Sequence, residues 1–474
     1  MSVEYVPTIG IECHVQLATK TKLFSATDND ARDQMANSMV NEIDFGLPGM
    51  LPVLNRAAVE LAVKAGKALN AKISNVSRFD RKHYFYPDLP KGYQTTQMYQ
   101  PIILEGYVDA PLEDGTTVRV GIHHAHLEED AGKLNHEPGH TSVDLNRAGT
   151  PLIEVVSNPD MHSPAEARAY ASELYRLMTY AGVTNGDLYH GNMRFDVNIS
   201  VAPKDSSTLG KRTEIKNLNS FRNVERAAEY EIKRQLELLQ NGETIVQETR
   251  GWDDDRQTTF SQRSKEDAQD YRYMPDADIP PIVLADDEIE QIQSSLPLLP
   301  ADYRKTWSGL GLDRSVVESL LDNRSYAEAV TAVLGEAGDK AAARVAHWFA
   351  SAVEAEATDA IKVGSIDRLV ELANMVEESL LSSTAAKQVF NQLLTTDQSP
   401  REIAEAGNLL QVSDESAIAA VVDAVLSDPA SQKSIEDIKA GKDKAIGYLV
   451  GQVMKQSKGK ANPAMAQKLI RERL

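Results

Sequence analysis

The segment IGIECHVQL at residues 9–17 decides the fold class, because its side chains alternate between apolar and polar. The same alternation recurs in RFDVNISV at residues 194–201 and, over a shorter span, in EIK at residues 214–216. Successive side chains of a β-strand point to opposite faces, so this period predicts three strands that each bury one face. Strands of that kind are typical of antiparallel sheets. In the first strand, the single cysteine, Cys13, falls on the apolar face.

Helices are predicted between these strands. The run SPAE at residues 163–166 is a capping box with proline at the first helical position, and this helix is predicted to stop near Gly182. A second predicted helix runs from about residue 220 to residue 240 and ends at an Asn-Gly pair. The mixture of strands and helices predicts an α+β fold.

Composition divides the 474 residues into two regions. Seventeen of the 20 prolines lie at or before Pro300, and nine of the 10 histidines lie at or before His190. Proline interrupts regular structure, so the first part is predicted to be a turn-rich α/β or α+β body and the alanine-rich remainder to be helical. The segment SSLPLLP at residues 294–300 is the predicted hinge.

The overall charge and the cysteine content exclude several classes of protein. The net charge is −20, and 70 acidic residues would repel a phosphate backbone, which argues against a general polyanion binder and requires any nucleic-acid contact to be local. One cysteine excludes an internal disulfide and a cysteine-cluster metal site, which favours a cytoplasmic protein. No apolar run approaches the roughly 18 residues that span a bilayer, so no membrane association is expected.

The C-terminal segment has the opposite charge. Residues 433–474 carry ten Lys and Arg against four Asp and Glu, a local net charge of +6, so the other residues carry −26. This segment is predicted either to contact nucleic acid locally or to form a solvated helical surface. Helical spacing predicts an apolar core on the same segment, formed by Ile446, Leu449, Val450 and Val453.

The polar faces of the predicted strands carry carboxylates, an imidazole, an amide and cations. They are Glu12 and His14, then Arg194, Asp196 and Asn198, then Glu214 and Lys216. Side chains two apart on a strand point the same way, so neighbouring strands would bring several carboxylates together, and such a cluster needs a cation. Oxygen ligands with one imidazole suit Mg²⁺ or Mn²⁺ better than a structural Zn²⁺. The alternative is a solvated strand face.

Further acids lie in HLEEDAGK at residues 126–133, which could complete a metal site with Glu128 and Glu129 and offer Lys133 to phosphate. The alternative is an acidic turn, and His124 and His126 are predicted to be structural. No phosphate-binding glycine loop, dinucleotide fingerprint or nucleophile elbow is present, so any bound ATP must be held by metal and side chains.

Cations alternate with aromatic residues in RFDRKHYFYPDLPKGYQ at residues 78–94. This mixture can stack nucleic-acid bases and hold phosphates. The alternative is a proline-rich loop that is fixed by its tyrosines.

Eight runs, in order along nearly the whole chain, resemble the family of B subunits of the aspartyl/glutamyl-tRNA amidotransferase. They are IGIECHV (9–15), FDRKHYFYPDLPKGYQ (79–94), HLEEDAGK (126–133), DLNRAGTPLIEVVSNPD (144–160), MRFDVNIS (193–200), EIKNLNSF (214–221), DYRYMPD (270–276) and GKDKAIGYLVGQVMKQSKGKANP (441–463). The resemblance implies a catalytic cradle domain on an antiparallel sheet at residues 1–294, an all-α linker domain at 295–405, and a small helical YqeY-like tail at 406–474.

The resemblance also implies an activity. Members are carbon–nitrogen ligases that use ATP to phosphorylate the side-chain carboxylate of Glu-tRNA(Gln) or Asp-tRNA(Asn). Ammonia then displaces the phosphate. The A subunit, which is an amidase, makes this ammonia from glutamine. The A and B subunits form a heterotrimer with the small C subunit. The alternative is a non-catalytic tRNA-binding adaptor with a structural metal site.

Together, strand alternation and motif matches assign the following roles. Predicted metal ligands are Glu12, His14, Glu128, Glu129, Asp196 and Glu214, of which all but Glu128 are also predicted to be catalytic. Residues predicted to bind ATP are Lys133, Arg194, Asn198 and Lys216. Predicted tRNA contacts are Lys442, Lys444, Lys455, Lys458 and Lys460.

Overall fold

A computed structural model describes residues 3–264, 270–354, 365–411, 415–457 and 461–474. The chain divides into two compact units, Met1–Pro300 and Ala301–Leu474. The first unit is built on an antiparallel-dominated sheet and the second is helical, which confirms the predicted fold class. The further division of the helical part at residue 405 stays a prediction.

Over the described residues of the first unit, the strands lie in four sheets. Their bounds are β1 (Tyr5–Gln16), β2 (Val76–Ser77), β3 (Asp80–His83), β4 (Tyr93–Thr96), β5 (Gly106–Pro111), β6 (Thr117–Glu129), β7 (Lys133–Glu137), β8 (His140–Asp144), β9 (Pro151–Ser157), β10 (Met193–Pro203), β11 (Thr213–Leu218), β12 (Glu248–Asp253), β13 (Thr258–Ser264), β14 (Met274–Pro275) and β15 (Ile282–Val283).

Helices lie between the strands of the first unit and in the second unit, as the sequence predicts. Their bounds are α1 (Arg56–Ala68), α2 (Pro164–Tyr180), α3 (Phe221–Gln240), α4 (Asp286–Ser294), α5 (Pro300–Thr306), α6 (Arg314–Leu321), α7 (Arg324–Glu354), α8 (Ile366–Glu377), α9 (Ser383–Leu393), α10 (Pro400–Ala406), α11 (Glu415–Ser427), α12 (Gln432–Lys439), α13 (Ile446–Gln456) and α14 (Pro463–Arg473). Helix α7 is interrupted at Gly338, whose φ of 77° only glycine adopts without strain.

The main sheet has eight strands in the order β13-β12-β11-β10-β1-β9-β6-β5. Its neighbours are antiparallel, except that β11 and β12 run parallel. The three strands predicted from alternation are β1, β10 and β11, and they are adjacent. Strand β1 lies between β10 and β9, so its polar residues have a strand on each side.

The apolar face of this sheet forms the core of the first unit. Ile9, Ile11 and Cys13 are fully buried, as the alternation predicted, and α1, α2 and α3 contribute to the same core. Burying each side chain of this size contributes roughly 1.5–3 kcal/mol. The helices begin where their caps predict, because Ser163 Oγ accepts a hydrogen bond from Glu166 N and Ser220 Oγ accepts one from Asn223 N. Because the core occupies the apolar face of the main sheet, the polar face is available for a functional site.

A smaller sheet, β14-β3-β4, lies beside the end of β6. Gln94 Nε2 donates to the backbone oxygen of Glu129 at 2.9 Å, and Leu127 N donates to Gln97 Oε1 at 3.0 Å. These buried hydrogen bonds place the segment of residues 78–99 next to the acidic end of β6.

The C-terminal helices of the second unit have their own core. Ile446, Leu449 and Val453 of α13 are buried in it and Val450 is half-buried, which confirms the predicted apolar face. None of the helices in the described parts of the chain is both long and apolar enough to cross a membrane.

Candidate metal centre

Two groups of ligand side chains lie on the polar face of the main sheet. Among the residues that the structure describes, the ligand atoms within each group are within 4.8 Å of one another. We call them cluster 1 (His14, Glu128 and Glu154) and cluster 2 (Glu12, Asp196 and Glu214). Strand β1 joins them, because Glu12 and His14 are two residues apart and so point to the same face.

Strand register builds cluster 1. His14 of β1 lies opposite Glu154 of β9, and Glu154 lies opposite His126 of β6. His14 Nε2 is 3.5 Å from Glu128 Oε1 and 3.6 Å from Glu154 Oε2. His126 Nε2 is 3.7 Å from Glu128 Oε2 and 3.5 Å from Glu154 Oε2. Each carboxylate therefore lies between two imidazoles.

Glu128 is held ionised, although only 2% of it is exposed. Burial acts to raise its pKa, but the neighbouring His126 and the charges of His14 and Lys82 outweigh burial and lower the pKa to about 2. The same pairing raises the pKa of His126 against the effect of burial. A carboxylate that stays ionised at neutral pH can serve as a metal ligand without first losing a proton.

His124 and His126 are predicted to be structural. In the structure, they differ in what they contact. His126 contacts both carboxylates of cluster 1, so it takes part in the electrostatics of the site. His124 stacks on His126, with ring centroids 5.3 Å apart. Burial and the neighbouring His126 and His123 lower the pKa of His124 to about 4, so its ring is neutral at neutral pH.

Cluster 2 combines three carboxylates with one ammonium. Lys216 Nζ lies 2.9 Å from Asp196 Oδ2 and 2.8 Å from Glu214 Oε1. Asn198 Nδ2 donates to Glu12 Oε1 at 3.0 Å. Three carboxylates against one lysine leave a surplus of negative charge that a divalent cation would neutralise.

Within cluster 2, the pKa of Glu12 is raised and that of Asp196 is lowered. Burial, followed by the charges of Glu154 and Glu214, raises the pKa of Glu12. Burial acts on Asp196 in the same direction, but Lys216, His14 and a hydrogen bond from Asn217 N lower its pKa overall. A bound cation would favour the ionised form of Glu12, because its charge would offset the burial and the repulsion that raise this pKa.

The donor set fits hard divalent ions. Five carboxylates and one imidazole match Mg²⁺ or Mn²⁺, and the absence of thiolates from both clusters disfavours a structural zinc site. In the described part of the chain, the buried Asn198 Oδ1 has no hydrogen-bond partner, which leaves a carbonyl oxygen beside cluster 2 to accept from or coordinate a ligand.

Two of the predicted site residues are not brought into the clusters. Glu129 follows Glu128 on β6 and so points to the other side of the strand, where its Oε1 accepts from Thr95 N at 2.9 Å and pairs with the ammonium of Lys91. Lys133 is exposed on β7, in the separate β7–β8 hairpin. Arg194 shares the polar face, and its guanidinium bonds Asp130 Oδ2 at 2.8 Å.

Glu154 is the ligand candidate that sequence reasoning missed. It lies in LIEVV, where the residues on both sides are apolar, so period-two alternation is hidden. The available signal was the lone carboxylate itself, because an unpaired charge is rarely tolerated within a buried strand.

The predicted tRNA contacts lie in the second unit. Lys444 is exposed in the turn before α13, and Lys455 is exposed in the last turn of that helix. Lys442 is also exposed, and its Nζ lies 2.9 Å from Asp437 Oδ1. Lys458 and Lys460 lie outside the described residues.

Comparison with known proteins identifies the family. A family model described as the GatB/GatE catalytic domain matches residues 7–290, which include both clusters. The chain belongs to the GatB family. A second model, described as the GatB domain, matches residues 326–474.

Full-length relatives agree with this family assignment. The chain is 45% identical to a protein of Alkalilimnicola ehrlichii over 99% of both chains, and 44% identical to one of Halorhodospira halophila over 98% of both. It is 42% identical to one of Herpetosiphon aurantiacus over 99% of both. Each of these relatives is named as the B subunit of aspartyl/glutamyl-tRNA(Asn/Gln) amidotransferase.

Proposed function

We propose that the chain is the ATP-dependent B subunit of a glutamine-dependent tRNA amidotransferase, a carbon–nitrogen ligase of the cytoplasm. Its partners in a heterotrimer are the A subunit, which is an amidase, and the small C subunit. Its substrate is a misacylated tRNA(Gln) or tRNA(Asn). The observation that carries the proposal is the pair of carboxylate clusters on one sheet face, together with membership of the GatB family.

The reaction explains why such a site is needed. The side-chain carboxylate of Glu or Asp on the tRNA is a poor electrophile with no good leaving group. Transfer of the γ-phosphoryl group of ATP to that carboxylate gives an acyl phosphate, and attack by ammonia at the carbonyl carbon then releases inorganic phosphate and forms the amide. Bound Mg²⁺ would neutralise the charge on the transferred phosphoryl group.

The side chains have distinct parts in this proposal. Glu12 and His14 of β1 belong to different clusters, so cluster 1 and cluster 2 would each hold a divalent cation, which would supply positive charge to the transferred phosphoryl group. Lys216 keeps Asp196 and Glu214 in place in cluster 2 through its two ion pairs, and its ammonium would attract phosphate oxygens bound nearby. Asn198 orients Glu12 by donating to its Oε1.

A hydroxylamine-trapping assay tests the proposal. The assembled complex is incubated with misacylated tRNA, ATP and Mg²⁺, without an ammonia donor, and hydroxylamine converts any acyl phosphate into a side-chain hydroxamate. Only the side-chain hydroxamate that depends on ATP is counted, because hydroxylamine also cleaves the aminoacyl ester of the tRNA. Glu128→Gln and Glu214→Gln should each lower hydroxamate formation by orders of magnitude, because a neutral amide no longer compensates the metal charge. Glu229→Gln, on the exposed side of α3, is the matched control.

The assay also distinguishes the proposed enzyme from a non-catalytic tRNA-binding adaptor. Unchanged hydroxamate formation in both cluster variants would contradict a catalytic role for the clusters. The chain would then be a tRNA-binding adaptor whose carboxylates hold a structural metal.

A further inference from the structure

Two adjacent histidines on β6 form a group of metal-binding side chains that belongs to neither cluster. His123 Nδ1 lies 2.8 Å from His124 Nδ1, and the two ring centroids are 5.0 Å apart. We call His123 and His124 the histidine pair. His123 is exposed and His124 is half-buried, so an ion can reach the pair from solvent. Imidazole nitrogens are ligands for transition metals, which makes the pair a candidate site for a different kind of ion.

A β-bulge brings the two rings together. Adjacent side chains of a regular strand point to opposite faces, so neighbouring histidines are normally kept apart. The pairing of β6 with β9 shifts register between Ile122 and His124, so His123 is the extra residue of a bulge. A bulge bends its strand and can redirect a side chain. The rings of the histidine pair therefore meet, although the residues follow each other in the sequence.

The distance between the two nitrogens indicates the geometry of the ion. With metal–nitrogen bonds of about 2.0 Å, two ligands at a right angle lie about 2.8 Å apart, whereas two ligands of a tetrahedral ion lie about 3.3 Å apart. The observed distance of 2.8 Å matches the right angle. Right angles are typical of the tetragonal sites of Cu²⁺ and Ni²⁺, and tetrahedral angles are typical of Zn²⁺. Octahedral Mg²⁺ also has right angles, but it prefers oxygen ligands.

The protonation of the rings permits metal binding. Burial, together with His126 and His123, lowers the pKa of His124 to about 4, so this ring is neutral at neutral pH and keeps a lone pair. A neutral imidazole can carry its hydrogen on Nε2, which leaves Nδ1 as an acceptor. An ion between the two Nδ1 atoms would therefore replace the hydrogen bond that now joins them.

His126 lies next to the histidine pair without sharing a ligand with it. The His126 ring stacks on that of His124, while its Nε2 faces the carboxylates of Glu128 and Glu154. In the described part of the chain, the buried His126 Nδ1 has no hydrogen-bond partner. A buried polar atom of this kind points to a bound water or ion in its surroundings. The pair thus lies beside cluster 1 and remains a separate group.

We propose that the histidine pair binds one Cu²⁺ or Ni²⁺ ion, with both Nδ1 atoms as ligands and water in the remaining positions. This site is additional to the sites proposed for Mg²⁺ or Mn²⁺ in clusters 1 and 2, and it does not rest on the proposed function. A structural zinc ion has four protein ligands, whereas this ion has two and faces solvent. The ion is therefore exchangeable and is not part of the folded framework.

Isothermal titration calorimetry of the full chain with Ni²⁺ tests the proposal without ATP, tRNA or catalysis. The parent should bind one Ni²⁺ ion that His123→Ala binds at least roughly 10- to 100-fold more weakly, the loss that even an outer partner of a metal ligand causes. His124→Phe should show the same loss, because it keeps a ring against His126 but has no nitrogen.

The matched control is His136→Gln. His136 is an exposed strand histidine whose Nδ1 lies 3.0 Å from Thr141 Oγ1 instead of a second imidazole, so its loss should leave Ni²⁺ binding as in the parent. Ni²⁺ binding by His123→Ala that equals that of the parent would overturn the proposal, and this exposed side chain can be replaced without disturbing the core. Tighter binding of Zn²⁺ than of Ni²⁺ by the pair would overturn the right-angle geometry.

Discussion

The sheet face of the first unit and the C-terminal helices of the second unit place their charges in opposite ways. Glu128 and Asp196 are buried and held by neighbouring strands, whereas Lys444 and Lys455 extend into solvent. A buried charge is costly unless it is paired, so its geometry is fixed by its partners. An exposed charge is hydrated and screened by salt. The buried arrangement suits chemistry that needs groups in fixed positions, and the exposed arrangement suits contact with a large polyanion.

The largest difference in stability should come from a buried ion pair of the first unit. Lys22 is fully buried, and its Nζ donates to Asp44 Oδ2 at 3.2 Å and to the backbone oxygen of Met39 at 2.8 Å. Lys22→Met should lower the free energy of unfolding by about 3–5 kcal/mol, because it leaves the carboxylate of Asp44 buried without its cation. Urea denaturation measures this loss.

Lys442→Met is the matched control, because Lys442 forms an exposed ion pair with Asp437. Its loss should cost at most about 1 kcal/mol. Equal losses in the two variants would contradict the distinction between buried and exposed charge.

The pH dependence of the free energy of unfolding should show that the buried carboxylate of Glu128 is ionised in the folded chain. The pKa of Glu128 falls to about 2 in the folded chain, from 4.5 for a free side chain, despite burial and because of His126 and His14. A lowered carboxylate pKa stabilises the fold above pH 4.5, and this contribution is lost as the pH falls toward 2. In metal-free buffer, Glu128→Gln should therefore show a shallower loss of stability between pH 4.5 and 2. Parallel acid-unfolding curves for the parent and the variant would refute the lowered pKa.

The smallest expected effects lie in the C-terminal helices. Lys444→Gln and Lys455→Gln should each reduce the slope of log tRNA affinity against log salt by about one unit, because each lost phosphate contact releases one counterion fewer. Lys442→Gln should change the slope less, since Asp437 already neutralises this lysine. Anisotropy titrations across a salt series measure these slopes. Slopes that match the parent would show a solvated helical surface.

Sequence alone could predict the faces of strands but not their neighbours. Alternation placed Glu12, His14 and Asp196 on the polar face and Cys13 in the core, because one face of β1 and β10 is apolar. It could not supply the pairing of β1 with β9, which brings Glu154 to His14 from a segment about 140 residues away. Register over such distances depends on the whole packed sheet.

Glu129 shows that the end of a strand can also be missed when its sequence is highly charged. The run HLEED at residues 126–130 predicts either part of a metal site or an acidic turn, and neither prediction separates Glu128 from Glu129. In the structure, β6 continues through Glu129, and strand geometry therefore separates Glu128 from Glu129. The local sequence is dense in charge and gives no apolar period from which that strand could be recognised.

Binding of divalent metal by the two clusters is tested most directly by titrating the full chain with Mn²⁺ in an isothermal calorimeter. The parent should bind at two sites, Glu128→Gln should lose one, Glu214→Gln should lose the other, and the double variant should lose both. Circular dichroism confirms that each variant is folded. Mn²⁺ binding by the folded double variant that equals that of the parent would contradict the assignment of metal to these clusters.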